Sequence, residues 1–188
     1  MMEAHQWELP CGCIMKKSDV VKNIIDGKIV AIFQGGSEWG PRALGNRSIL
    51  FDPRNPDAKD IVNKVKKREW YRPFAGTILL KHANDYFEML TIKETPYMSY
   101  AIPAKQKAKD EVPGIIHVDG TCRIQTVTRE QNKHFYDLIE EFYKQTGVPI
   151  LFNTSFNLAG EPLVETLEDA KDTVNRSDID LLYTPELL

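Results

Sequence analysis

Lys28-Ile29-Val30-Ala31-Ile32-Phe33 leads straight into Gln34-Gly35-Gly36 and, three residues later, into Gly40-Pro41-Arg42-Ala43-Leu44-Gly45-Asn46-Arg47-Ser48. A short apolar run bounded by turn residues reads as a buried strand, and open α/β sheets place ligands where such strands end. The loop therefore emerges where a ligand is expected, with two arginines and backbone-exposing glycines. Arginine offers a fixed fork of donors that matches two oxygens of a phosphate or carboxylate, and lysine lacks that geometry. A phosphate or acyl phosphate is the anion this loop suits best. The alternative for Arg42 and Arg47 is a structural role in salt bridges or on backbone carbonyls.

Working outward, Ser18 suits an N-cap, Val20, Val21, Ile24 and Ile25 share a helical face, and Gly27 stops that helix before the strand. Ser48 to Phe51 forms a short strand, Asp52 to Pro56 a turn, and Ala58 to about Lys67 a helix with Ile61, Val62 and Val65 inward. Phe74 to Leu80 is a buried strand, Lys81 to Met89 is helical, Met98 to Ile102 is a strand, and lysine-rich Lys105 to Glu111 is an exposed loop. Asp119-Gly120 between Ile115–Val118 and Cys122–Val127 predicts an antiparallel hairpin. Phe135, Leu138, Ile139, Phe142 and Tyr143 mark the core face of a helix that Gly147 ends. Val148 to Phe152 is then a strand, Asn153 to Asn157 a polar loop, Glu165 to Asn175 a helix and Ile179 to Tyr183 a strand.

With 188 residues, 42% of them hydrophobic and 27% charged, the chain suits one packed α/β domain rather than a disordered or fibrous protein. The expected division is an N-terminal extension at residues 1–17 and a domain at 18–188. No apolar run approaches the roughly 20 residues of a membrane helix, and Met1 to Gln6 lacks a signal pattern, so a cytoplasmic location without membrane association is expected. Cys11, Cys13 and Cys122 suit reduced thiols better than a disulfide framework or a zinc site. The net charge of -3 argues against wholesale nucleic-acid binding, yet Arg42 to Arg72 holds nine basic residues against four acids. That asymmetry favours a small anionic ligand over a long polyanion, which would need a broad basic face.

Four polar segments fall at expected element ends: Gly35–Ser48, Lys66–Phe74, His117–Arg123 and Asn153–Asn157. They gather arginines, a lysine, hydroxyls and amides with few carboxylates, the equipment for stabilising charge that shifts between oxygens. Lys67 and Arg68 read as solvated cations at a helix end, whereas Lys66 and Arg72 are harder to dismiss. His117 reads as a satisfied core histidine, and Arg123 has Asp119 as an alternative partner. No Gly-x-x-x-x-Gly-Lys-Ser/Thr, His-x-x-x-His or Gly-x-Ser-x-Gly occurs.

The runs Glu38 to Leu50, Lys66 to Ala75, His117 to Val127 and Thr146 to Asn157 resemble, in the same order, the C-terminal domain of the O-carbamoyltransferases, the group of nodulation, tobramycin, novobiocin and cephamycin carbamoyltransferases. The resemblance implies a YrdC-like open twisted mixed sheet flanked by helices. It implies binding of ATP, with Mg2+ brought by the nucleotide, and of carbamoyl phosphate, and formation of carbamoyladenylate. A separate N-terminal domain of actin-like ATPase fold, in this chain's case a partner domain or subunit, would move the carbamoyl group to an acceptor hydroxyl. By position, Arg42, Lys66, Arg72 and Arg123 carry over as catalytic residues, with no metal ligands. Arg42 and Arg72 would hold carbamoyl or phosphate oxygens, and Lys66 and Arg123 would offset polyphosphate charge. Arg47, Asn153, Ser155 and Asn157 carry over as nucleotide-binding, with Asn153 and Ser155 donating to a nucleotide phosphate. Gly76 stands where a proline is common, a change expected to alter a loop, and Cys122 replaces a small residue. The competing reading is a nucleotide- or RNA-binding YrdC-like module without turnover.

Overall fold

The computed structural model describes residues 15–185. The Cys11-Gly12-Cys13 element and most of the expected N-terminal extension lie outside them. Among the described residues the elements run α1 (Lys17–Ile25), β1 (Val30–Phe33), β2 (Arg47–Phe51), α2 (Ala58–Val65), β3 (Ala75–Leu79), α3 (Ala83–Tyr86), β4 (Ala101–Pro103), α4 (Gln106–Glu111), β5 (Thr121–Val127), α5 (Lys133–Thr146), β6 (Ile150–Ser155), α6 (Leu167–Asn175) and β7 (Leu181–Tyr183). The strands form one sheet in the order β4-β5-β3-β6-β2-β1-β7. It is mixed: β3 with β5 and β1 with β7 run parallel, and the other neighbours are antiparallel.

The apolar periodicity sets the helix faces. Val20, Val21 and Ile24 of α1 and Phe135, Leu138, Ile139 and Phe142 of α5 are buried, as their spacing predicts. Asn132 caps α5 by accepting from the Phe135 amide at 3.0 Å, and Gly147 ends it at φ 76, a conformation that side chains with a Cβ resist. Lys17, Arg129 and Lys133 all reach the Asp137 carboxylate, at 3.1, 3.1 and 3.2 Å, which ties α1 to α5. Phe152 of β6 packs edge-on against Phe51 of β2 and tilted on Phe74, with ring centroids 6.4 and 4.6 Å apart.

Several expectations are corrected. The N-cap of α1 is Lys16, not Ser18. Lys105 to Glu111 is not a loop, because α4 forms there and buries Ala108. Ile115 to Val118 is not a strand. Pro113–Ile115 forms a 3-10 turn, the Gly114 amide donates to Pro53 O at 3.0 Å, and His117 to Thr121 is a tight turn. The antiparallel partner of β5 is instead β4, through Ala101↔Arg123, Ile102↔Cys122 and Pro103↔Thr121. Asn153 to Ser155 belongs to β6 rather than to a loop, and Gly76 lies inside β3, between Ile124 and Phe152 of the flanking strands. Cys122 is fully buried in β5, which pushes its thiol up to about 12.

Candidate functional site

The loop from Gln34 to Ser48 is held by its own polar groups. One Glu38 carboxylate oxygen accepts from the amides of Leu44, Asn46 and Arg47 at 2.8, 2.8 and 3.3 Å. Gln34 Nε2 donates to Gly45 O at 2.8 Å, and the Gly45 amide donates to Ser48 Oγ at 3.0 Å. Gly45 sits at φ +109, and a Cβ there would lie 2.1 Å from the Phe135 ring, so this position requires glycine both for its backbone and for its contact with α5. Arg47 is buried. Its guanidinium lies 3.6 Å from the Phe33 ring centroid and donates to the carbonyls of Gln34, Asn46, Gly35 and Glu165 at 2.6, 3.1, 3.1 and 3.4 Å. Arg47 thus takes the structural role open to it in the sequence and shapes the loop that presents Arg42.

Two further amides fasten this loop to the sheet. Gln125 of β5 donates to Leu44 O at 3.0 Å, and Asn153 of β6 donates to Ala43 O at 3.2 Å. Thr77 of β3 lies between them: its hydroxyl donates to Gln125 Oε1 at 2.8 Å and accepts from Asn153 Nδ2 at 2.9 Å. Registers Ala75↔Arg123 and Ala75↔Asn153 put these residues on neighbouring strands, with the small Ala75 side chain between a guanidinium and an amide.

The result is a small recess, with an interior volume of about 70 Å³, lined by Arg42, Arg68, Arg123, Asn153, Thr154 and Ser155, with Phe74, Ala75 and Met98, and among the described residues by no carboxylate. Burial, then repulsion from Arg42, lowers the pKa of Arg123, and its buried Nε has no hydrogen-bond partner among the described residues. Arg68 is no free surface cation. It donates to Asn63 Oδ1 at 2.6 Å and Pro73 O at 3.3 Å, lies 4.0 Å from the Phe74 ring centroid, and is lowered to about 10 by burial and by Arg72. Guanidinium groups that crowd and repel one another favour an anion between them.

Lys66 stands behind Ser155. Its ammonium donates to Ser155 O, to Ser155 Oγ at 3.2 Å and to Asn157 Oδ1 at 2.9 Å. Ser155 Oγ donates in turn to Asn157 Oδ1 at 2.7 Å. Among the described residues no carboxylate pairs with Lys66, and burial, followed by repulsion from Arg68, lowers it to about 7. Arg72 stands apart, exposed and paired with Glu69 at 2.8 Å rather than lining the recess. Asp119 is taken by the amide and hydroxyl of Thr121, at 2.9 and 2.8 Å, and does not neutralise Arg123. His117 is satisfied as expected, with Nε2 3.0 Å from Phe74 O and Nδ1 3.3 Å from Thr121 Oγ1.

A family model for the carbamoyltransferase C-terminus matches residues 21–188. The chain belongs to that family. It is 48% identical over 167 residues to nodulation protein NolNO of Sinorhizobium fredii, covering 88% of this chain and 25% of the relative. Nodulation protein NolO of Bradyrhizobium diazoefficiens is 43% identical over 181 residues, covering 93% of this chain and 33% of the relative. The chain therefore spans a quarter to a third of the length of these curated relatives. Among solved structures, full-length HypF in a phosphate- and nucleotide-bound form aligns with TM-score 0.63 at 20% identity, over 90% of this chain and 25% of that one. A variant of P. abyssi Sua5 aligns with TM-score 0.60 at 13% identity, over 89% and 49%. These likenesses match the YrdC-like mixed sheet the sequence implies.

In this carbamoyltransferase C-terminal domain, Arg42, Arg123, Asn153 and Ser155 line one recess, and Lys66 and Asn157 support it from behind. Arg47 serves as framework, and Arg72 stands outside. The amide nitrogen of Asn153, expected to donate to a nucleotide phosphate, faces Ala43 O, Thr77 Oγ1 and Gln125 Oε1 here. Glu38, Gln125 and Thr77 were not singled out from sequence, and Arg68, expected to be a solvated cation, lines the recess instead. A lone carboxylate inside an amide-rich loop was the available signal for Glu38; Arg68, two residues beyond Lys66 at a helix end, offered a second. Among the described residues no group of three or more His, Cys, Asp or Glu could hold a metal, and no helix is long and apolar enough to cross a membrane.

Proposed function

We propose that this recess binds carbamoyl phosphate and ATP and forms carbamoyladenylate. The observation that carries the reading is the convergence of Arg42, Arg68 and Arg123 on one cavity without a carboxylate. The nucleotide- and phosphate-bound form of HypF, similar in fold, supports the same ligand class. In balanced form, carbamoyl phosphate and one water give carbamate and phosphate. A carbamate oxygen then attacks the α-phosphorus of ATP, and pyrophosphate leaves. Arg42 and Arg123 bind carbamoyl and phosphate oxygens in bidentate fashion, while Arg68 and the Lys66–Ser155 pair offset polyphosphate charge as it moves to the leaving group. Donors fixed beforehand need no reorganisation at that moment. Mg2+ arrives with ATP and shields its phosphates. Transfer to an acceptor hydroxyl falls to a separate domain or subunit, in keeping with relatives three to four times longer than the part matched.

The test is pyrophosphate release from ATP by the purified chain, with and without carbamoyl phosphate, with mass spectrometry for carbamoyladenylate and AMP. Release that depends on carbamoyl phosphate is the expected outcome; measurable ATP binding without any release overturns the adenylation. A second reading, a nucleotide- or RNA-binding module without turnover, draws on Trp39, Trp70 and Tyr71, exposed beside Arg42 and Arg72 and suited to base stacking. RNA binding that weakens steeply with salt, over many phosphate contacts, would favour that reading.

A further inference from the structure

Asn153 is only 1% exposed and lines the arginine recess, yet its amide oxygen has no partner among the described residues. The orientation of the amide follows from its surroundings. Nδ2 faces Thr77 Oγ1, Ala43 O and Gln125 Oε1 at 2.9, 3.2 and 3.3 Å. All three are acceptors. Ala43 contributes a carbonyl, the Thr77 proton is used on Gln125 Oε1, and Gln125 is itself locked by donation of its Nε2 to Leu44 O. Rotating the amide would set its oxygen against these three acceptors, so the oxygen is held on the other side. A buried acceptor left unpaired is costly, and a ligand N–H that reaches it recovers a full hydrogen bond.

Across Ala75 from Asn153, in register, stands Arg123, whose buried Nε lacks a partner. Two strand spacings separate their Cα atoms, roughly 10 Å. The wall of the recess thus holds a buried acceptor and, across Ala75, a buried donor, both without a partner among the described residues. A planar O=C–NH2 group answers both, with N–H toward Asn153 and oxygen toward Arg123.

We infer that Asn153 Oδ1 is the specificity determinant of this site: it accepts from the amino group of a carbamoyl substrate and so separates carbamoyl phosphate from acyl phosphates without an N–H. The inference rests on the proposed anion site and assigns a role within it. Gln125 and Thr77 act as positioning residues that fix which face of the Asn153 amide meets the ligand.

The experiment is calorimetric binding to the whole chain of inorganic phosphate, freshly prepared carbamoyl phosphate and acetyl phosphate, which replaces the amino group by methyl. Wild-type chain should prefer carbamoyl over acetyl phosphate by roughly tenfold or more, the effect of leaving one buried polar group unpaired. Asn153→Ala should bind carbamoyl and acetyl phosphate equally, losing the preference. Equal binding of the two acyl phosphates by the wild-type chain overturns the inference while leaving the anion site intact. A preference retained in Asn153→Ala also overturns it, by assigning the selection elsewhere. No binding of phosphate or carbamoyl phosphate removes the anion site and this inference together. The ligand pair is measured on the native chain, so the result does not depend on whether the variant folds.

Discussion

The loop from Gln34 to Ser48 and the segment from Lys66 to Pro73 each bring an arginine to one recess, and they are held in opposite ways. The loop is braced from within: Glu38 gathers three amides, Arg47 gathers carbonyls, and Gly45 presses on Phe135. The segment is held through the Lys66 and Arg68 side chains and carries little bracing beyond them. Lys67 takes φ 53 without being glycine, Trp70, Tyr71 and Arg72 are exposed, and Asn63 holds the backbone at the carbonyls of Trp70 and Arg72, at 3.1 and 3.4 Å. Arg72 is occupied by Glu69, three residues away. The contrast separates two tasks. The loop sets a geometry before any ligand arrives, whereas the segment retains an arginine that an anion can recruit by outcompeting an exposed ion pair, an interaction of little net strength in water.

The sharpest way to break this comparison is Arg47→Met, which leaves buried carbonyls unpaired. The expected loss is about 2 to 4 kcal/mol of unfolding free energy, together with collapse of carbamoyl phosphate-dependent pyrophosphate release. A denaturant midpoint equal to that of the wild type would show that the loop is not braced through Arg47. Arg72→Ala should leave stability within about 0.5 kcal/mol and weaken carbamoyl phosphate binding by roughly tenfold, one charged hydrogen bond. Unchanged affinity in calorimetry would remove Arg72 from the ligand-bound site. Glu69→Gln frees the same arginine and should tighten binding by roughly threefold, in line with a surface ion pair; weaker binding would mean that Glu69 orients Arg72 rather than competing for it.

The smallest effect is a proton count. Burial lowers Lys66 to about 7, far below an exposed lysine. A polyphosphate beside Ser155 favours the charged ammonium and raises that value, so ligand binding just above pH 7 takes up a fraction of a proton. For folding the sign runs the other way. The unfolded chain holds this proton up to the ordinary lysine pKa, so Lys66 makes stability rise with pH from about 7 toward that value. Calorimetry in buffers of different ionisation enthalpy reads the uptake, and zero uptake would separate Lys66 from the ligand.

What could be read from the sequence was what local pattern determines. The apolar face of α5, its stop at Gly147 and the strand before the arginine loop depend on spacing and backbone chemistry within a few residues. Ile115 to Val118 misled because its β-branched run resembles a strand, while the deciding contact is distant: a Cβ on Gly114 would meet Asn55 O at 2.6 Å and Pro53 O at 2.9 Å, so only glycine lets the turn settle there. Asn153 to Ser155 looked like a loop because polar residues are uncommon in a central strand. The amide network across β3, β5 and β6 makes them tolerable. In the site, residue type pointed to an anionic ligand, but not to which guanidinium faces carbonyls and which faces the cavity. For that reason Arg47, expected at the ligand, faces carbonyls, and Arg68, expected in solvent, lines the recess.

Cys122 gives the site a clock. Its thiol is sealed in β5 beside Arg123 and pushed up to about 12, so it cannot act as a nucleophile until the strand parts from its neighbours. Its labelling rate by a thiol reagent therefore counts openings of the strand that bears the key arginine. Any occupant gripping Arg123 from the recess must slow that count, which turns a residue without a role in the chemistry into a reporter of when the chemistry can occur.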